Sequence, residues 1–266
     1  METRYTGRMC TIVAIRGVRS DLPLVLATNR DEFFERPSTG AIRLLDAPVT
    51  VGGRDLIAGG TWMGVTQDGL FVGVTNHRGA ARTRRSRGEL VLDALRLGDA
   101  ARIADHVARI DGSAYNEFNL MWGDAGSLYV GYGRADRREV EIVEVPEGVH
   151  VLPNAHLDSP DFVKVRRANE LLAPVLHAPR DAFVAGVQAM LGDRQLPSLG
   201  AIEEPGVDPE LLRQLGALCV RTPSYGTRSS TVVLLRERGV EQFWVADGPP
   251  DRTPFVEVSP LFSAQH

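Results

Sequence analysis

The chain has 266 residues, 43% hydrophobic and 24% charged, with 30 basic and 34 acidic side chains and a net charge of -4. That balance describes a soluble globular protein and gives no support to a basic nucleic-acid binder. No run approaches the ~18 apolar residues of a membrane span, and residues 1–8 lack the apolar core of a secretory signal, so a cytoplasmic location is expected. Cys10 and Cys219 stand far apart, which excludes a disulfide scaffold or a paired metal spacing.

In chain order, the runs Cys10–Ile15 and Leu24–Asn29 predict strands separated by the turn Ser20-Asp21-Leu22-Pro23. Gly60–Thr66 and Leu70–Asn76 flank Gln67-Asp68-Gly69, and Asp-Gly between such runs predicts a hairpin. Ser86-Arg87-Gly88-Glu89 fits a capping box opening a helix, with a second helix over Asp99–Ile110. Strands return at Asn119–Trp122, Leu128–Tyr132, Val140–Val145 and His150–Leu152. Helices are predicted at Val163–Leu176, Asp181–Leu191 and Pro209–Leu218, then strands at Ser230–Leu235 and Gln242–Ala246. This order lacks the regular βαβα alternation of a parallel sheet. It predicts an α+β layered domain of antiparallel sheets with helices outside. The glycine pairs Gly52-Gly53 and Gly59-Gly60 read as turns, because no dinucleotide fingerprint surrounds them.

Met9-Cys10 is the most informative dipeptide. If Cys10 heads the mature chain, thiol and α-amine sit on one residue, and an amine with a pKa of about 7.7–8.0 can act as the thiol's base. The other reading is a small apolar side chain opening a buried strand. Asn29-Arg30-Asp31-Glu32 ends the second strand-like run. Alternation puts Asn29 and Asp31 on one face and Arg30 and Glu32 on the other, unless a bulge intervenes. Arg30 could lower the pKa of a nearby thiol and Asp31 could hold an α-ammonium; a surface ion cluster is the alternative. Asn76 and Asn154 are candidate oxyanion donors or simple turn formers. Tyr225-Gly226-Thr227-Arg228-Ser229-Ser230 precedes a predicted strand, and Arg228 could enter a pocket or belong to a capping loop. Arg82–Arg87 could receive phosphates or a propionate, but reads first as an exposed loop. Only one of the 30 basic residues is a lysine, Lys164, which reads as arginine-rich codon usage.

Met9-Cys10-Thr11, Asn29–Glu32, Gly59–Gly64, Leu152-Pro153-Asn154-Ala155 and Tyr225–Ser230 occur in that order and resemble the NRDE family, also called the transport and Golgi organisation protein 2 family. That family is similar to the N-terminal nucleophile hydrolases, in particular the bile-salt hydrolase and penicillin V acylase branch. The resemblance implies an αββα sandwich of two antiparallel sheets, with residues 1–9 an extension and residues 10–266 one domain. It implies Cys10 as nucleophile, Arg30 and Asp31 flanking its thiol and amine, Asn76 and Asn154 as oxyanion donors, and Arg228 as a distal arginine. Asn29, Glu32, Trp62, His77 and Tyr225 are then candidates for substrate contact. In the hydrolase branch the first arginine and aspartate are separated by two residues, whereas Arg30 and Asp31 are adjacent. The resemblance implies either hydrolysis of a linear acyl amide or, from the family's links to haem trafficking, acyl-coenzyme A metabolism and Golgi organisation, a non-catalytic carrier of haem or acyl-coenzyme A. No metal is expected. The six histidines (His77, His106, His150, His156, His177 and His266) show no paired ligand spacing, and His77 and His156 are the two nearest to candidate site residues.

Overall fold

A computed structural model describes residues 10–77, 84–204 and 206–263. The extension 1–9 lies outside them, as do Arg82, Thr83 and His266. Thirteen strands are described: β1 (Thr11–Arg19), β2 (Leu22–Phe33), β3 (Ser38–Asp46), β4 (Val49–Asp55), β5 (Met63–Thr66), β6 (Phe71–Asn76), β7 (Phe118–Gly123), β8 (Leu128–Gly133), β9 (Glu141–Glu144), β10 (Gly148–Leu152), β11 (Tyr225–Leu235), β12 (Val240–Ala246) and β13 (Val256–Glu257). Five helices accompany them: α1 (Arg87–Leu97), α2 (Ala100–Val107), α3 (Val163–Leu172), α4 (Arg180–Leu191) and α5 (Pro209–Leu215).

The strands form two sheets. One has six strands in the order β10-β1-β2-β11-β12-β13, the other seven in the order β3-β4-β5-β6-β7-β8-β9, and every neighbouring pair is antiparallel. Period-2 alternation sorts the side chains. On the first sheet Ile12, Ala14, Leu24, Leu26, Val233 and Leu235 point inward and meet Val51, Met63, Val65, Phe71, Met121 and Val130 of the second. On its other face Val13, Ile15, Val25, Ala27, Val232 and Leu234 pack under α3 and α4 through Val165, Ala168, Leu172, Phe183 and Val187. The second sheet turns Val72, Val74, Leu120 and Trp122 outward against Leu90, Val91, Leu95, Ile103 and Val107 of α1 and α2. Each buried Val, Leu, Ile, Phe or Met among these contributes about 1.5–3 kcal/mol of transfer free energy, so all three interfaces favour the layered stack. The architecture is the expected αββα sandwich.

The Gln67–Gly69 hairpin forms between β5 and β6, with Gly69 at φ +91°, a conformation that glycine adopts without a Cβ clash. Several local expectations change. Asn29–Glu32 lies inside the long β2 rather than ending a strand, and Tyr225–Ser230 is strand β11 rather than a loop. Gly52 and Gly53 lie within β4; the run Ser38–Asp55, which offers no clean alternation, builds the edge pair β3–β4. Ser86 occupies the N-cap of α1 but makes no side-chain cap bond, so the capping box is not formed.

Candidate active site

Cys10 stands immediately before β1 and is half-buried. The antiparallel register pairs Thr11 with Asn29, which sets Cys10 beside Arg30 at the end of the β1–β2 ladder. Parity then places its side chain on the inward face, with Ile12 and Ala14. A cavity of about 270 Å³ opens there, lined on one side by Cys10, Arg30, Glu32 and Trp62 and on the other by Asn76 and the residues that lead into α1, Arg84, Arg85 and Arg87. Arg36 and Asp55 complete its rim.

The tetrapeptide divides as alternation predicts. Arg30 and Glu32 face the cavity. The Arg30 guanidinium lies over the Trp62 ring at 4.3 Å, and Nη1 donates to Ser38 Oγ at 3.2 Å. Its Nη2 is buried without a hydrogen-bond partner, 3.7 Å from Asp55 and 4.0 Å from Glu32. Burial pulls the Arg30 pKa down from its ordinary value while Glu32 pushes it back up. Trp62 is seated by Gly53, where a Cβ would collide with the indole. Arg36 closes the rim through a 2.7 Å ion pair with Asp55, whose carboxyl is held below its usual range despite partial burial.

Asn29 and Asp31 face the helix layer. The Asn29 amide donates to the carbonyls of Leu191 and Leu218, both at 2.9 Å, and its oxygen accepts from Ser230. Asp31 is 1% exposed; Thr227 Oγ1 donates to one carboxylate oxygen at 2.6 Å and Lys164 Nζ to the other at 3.0 Å. Burial pushes the Asp31 carboxyl upward, and the Lys164 ammonium and the Thr227 hydroxyl oppose that shift. The carboxylate therefore lies on the opposite face of β2 from the Cys10 thiol, held from the helix layer. What Asp31 presents to Cys10 is its backbone carbonyl, 3.9 Å from Sγ. Burial, then the Asp31 charge, pushes the thiol up to about 11, only partly offset by a backbone hydrogen bond at Asp31 and by Arg30.

The remaining expected residues scatter. Asn154, 2% exposed, lies off the cavity and donates its amide to the Asn76 carbonyl. Its segment is fixed by Thr75 and Asn119, which bond the Pro153 and Ala155 carbonyls. Arg228 is the extra residue where the β2–β11 register shifts between Thr227 and Ser229; it is not in the cavity wall, and its Nε is buried without a partner. Tyr225 lies off the cavity too, donating its hydroxyl to the Asp31 carbonyl at 3.1 Å. His77 pairs with Glu117 at 2.7 Å, and His156 tilts over Tyr132. Among the described residues no group of three or more His, Cys, Asp or Glu could hold a metal ion. Sequence reasoning missed Arg36, Asp55, Lys164 and Thr227. It also set aside Arg84, Arg85 and Arg87 as an exposed loop. Arg84 in fact donates to the Ser113 and Tyr115 carbonyls and Arg87 to the Glu117 carbonyl, while Arg85 stacks over Tyr115, so all three are anchored in the cavity wall.

A sequence profile described as Transport and Golgi organisation 2 matches residues 9–245. Transport and Golgi organization protein 2 homologs from Bos taurus and Homo sapiens are 36% and 33% identical to the chain over 235 residues, covering 81% of it and 83% of each relative. The Drosophila melanogaster Transport and Golgi organization protein 2 is 28% identical over 186 residues, 63% of this chain and 64% of that protein. Among solved structures, a Caenorhabditis elegans N-acylethanolamine-hydrolyzing acid amidase ortholog superposes with a TM-score of 0.53 at 10% identity, covering 85% of this chain and 92% of its own. A mutant of the conjugated bile acid hydrolase from Clostridium perfringens gives 0.50 at 9% identity, covering 94% and 96%. At those identities the likeness is one of fold, that of the N-terminal nucleophile hydrolases. No helix among the described residues is long and apolar enough to cross a membrane.

Proposed function

The chain belongs to the Transport and Golgi organisation 2 family, and from that premise we propose that its cavity is a cysteine acyl-amide hydrolase site of the N-terminal nucleophile kind, competent once Cys10 heads the chain. The observation that carries this reading is the Cys10 thiol opening onto a cavity beside Arg30 and Asn76, directly after Met9. With Met9 attached, the Cys10 nitrogen is an amide, and a thiol near 11 supplies almost no thiolate at neutral pH. Release of the α-amine adds a base at the thiol and, when protonated, a cation that favours thiolate.

The chemistry then runs in two halves. The amine takes the thiol proton as sulfur attacks the carbonyl carbon, a C–S bond forms, and the carbonyl π pair moves onto oxygen. Asn76 donates to that oxygen, a contact worth about 3–4 kcal/mol in the transition state for a well-placed donor. Collapse breaks the C–N bond, and the departing amine leaves with the proton held by the α-ammonium. Water, deprotonated by the same α-amine, then cleaves the thioester, releasing a carboxylic acid and restoring the thiol. Arg30 favours the thiolate electrostatically. Asn154 acts through its grip on the Asn76 carbonyl rather than as a second donor. Intact-mass measurement of protein from its own host, with an electrophilic acyl probe, tests the reading. A chain beginning at Cys10 and a probe adduct on Cys10 support it; a chain retaining Met9 with no adduct overturns it.

A second reading, a non-catalytic carrier of haem or acyl-coenzyme A, is favoured by one observation. The cavity is lined by Arg30, Arg36, Arg84, Arg85 and Arg87 against the carboxylates of Glu32 and Asp55, a balance suited to an anionic cargo. A carrier would retain its affinity for such a cargo in a Cys10→Ser variant, and a hydrolase would lose its adduct.

A further inference from the structure

Lys164 is the only lysine in the chain, is 1% exposed, and reaches from the first turn of α3 across the helix layer to Asp31. A buried ion pair is costly to desolvate, and an apolar pair would anchor a helix to a sheet at least as well. Packing already joins α3 to the sheet through Val165, Ala168 and Leu172. The pair therefore calls for a role beyond holding α3 in place.

Asp31 suggests that role, because it is bonded through the thickness of the sheet. Its carboxylate accepts from Lys164 and Thr227 on the helix side, and its carbonyl accepts from Cys10 and Tyr225. At this point β11 bulges at Arg228, and the Thr227 N–H, instead of crossing the ladder, bonds the Val220 carbonyl. A bulge loosens the local ladder, so the orientation of the Asp31 peptide depends on what grips its side chain.

We infer that Lys164 is a positioning residue for the Cys10 site: by clamping the Asp31 carboxylate from the helix layer, it fixes the Asp31 carbonyl against the Cys10 thiol. The inference rests on Cys10 being the centre of the site, not on hydrolysis. Its test reads the thiol and needs no turnover. Of the charged groups around Cys10, Arg30, Glu32, Arg36, Asp55, Arg84, Arg85 and Arg87 stay unchanged in every variant, whereas the Asp31 charge is itself removed where Asp31 is replaced.

The experiment follows alkylation of Cys10 by iodoacetamide in the full chain, mapped by mass so that Cys219 is counted separately, from pH 7 to 10.5. Lys164→Met is expected to lower the melting temperature and to displace the Cys10 profile. Asp31→Asn combined with Lys164→Met removes both charges and restores the melting temperature. Because loss of the Asp31 charge speeds Cys10 by itself, the reference is Asp31→Asn alone, in which Lys164 can still hold the side-chain amide oxygen. The double variant is expected to alkylate at Cys10 roughly tenfold faster than that single variant at pH 8, as for a shift of about one unit. Should either Asp31 variant fail to fold, Thr227→Val decides, since it keeps the Asp31 charge while removing the hydroxyl that donates to the other carboxylate oxygen and accepts from the Val220 N–H; a smaller shift in the same direction supports the proposal. Identical Cys10 profiles in the double variant and in Asp31→Asn alone, or a parental profile in Thr227→Val if either Asp31 variant does not fold, overturn it and leave Lys164 a purely structural anchor. A displaced profile in a protein that forms no acyl adduct keeps this inference and removes the hydrolase reading.

Discussion

The two faces of β2 between residues 29 and 32 solve opposite problems with the same kind of side chain. On the helix face Asn29 and Asp31 have their side-chain oxygens and the Asn29 amide matched to named partners: two carbonyls, two hydroxyls and one ammonium. On the cavity face Arg30 keeps a buried Nη2 without a hydrogen bond, its nearest carboxylates 3.7 and 4.0 Å away. A satisfied buried network stabilises and specifies a fold, whereas an orphaned buried donor is tolerated where something else is meant to bind. The lesson is that polarity and burial alone do not mark a binding residue. An unpaired donor does so only where it also faces a cavity, as Arg30 does and the buried Nε of Arg228 does not.

That contrast can be broken by substitution. The largest effect is expected for Asp31→Ala, which strands the Lys164 ammonium in the interior and should cost about 3–5 kcal/mol in urea unfolding. A loss below 1 kcal/mol would show the helix face to be as loosely held as the cavity face. Asn29→Ala should follow at about 2–3 kcal/mol, since it leaves the Leu191 and Leu218 carbonyls without their donor. Arg30→Met should cost at most about 1 kcal/mol, mostly its contact over Trp62, yet weaken retention of anionic ligands more than tenfold in calorimetry. Equal destabilisation by Arg30→Met and Asp31→Ala would erase the distinction.

The smallest change sharpens the comparison without mutation. Because burial and the Asp31 charge raise the Cys10 thiol to about 11 in the chain that retains Met9, its alkylation should climb about tenfold per pH unit from pH 7 to 10. Removal of residues 1–9 should lower that midpoint. Cys219, 1% exposed and also raised to about 11 by burial, should react later than Cys10 in the folded protein. Equal rates for the two thiols would place Cys10 inside the core rather than at a cavity.

Much of this was legible in advance because it depends on parity and order. Alternation alone sent Asn29 and Asp31 to one side and Arg30 and Glu32 to the other, and the succession of strand and helix patterns gave the layered class. What escaped depends on tertiary approach. Adjacent residues cannot both face one cavity on a regular strand, so of Arg30 and Asp31 only Arg30 turns its side chain toward the Cys10 cavity, and the Asp31 carboxylate is held from the helix side. A bulge at Arg228 has no signature in Tyr225–Ser230 beyond a glycine. Lys164 carried one signal, its singularity among thirty basic residues, and composition offered an ordinary explanation for it. The arginines before α1 looked like a solvated run because no local pattern reveals the Ser113, Tyr115 and Glu117 carbonyls that anchor them.

With its sole lysine sealed between α3 and β2, the folded protein offers amine-directed reagents nothing but its own amino terminus. Proteases that cut after lysine find no accessible bond until α3 lifts away, and acylation of that one side chain becomes a clock for the opening of the helix layer. A bottle of succinimidyl ester and a mass spectrometer would time that opening with no engineered label at all.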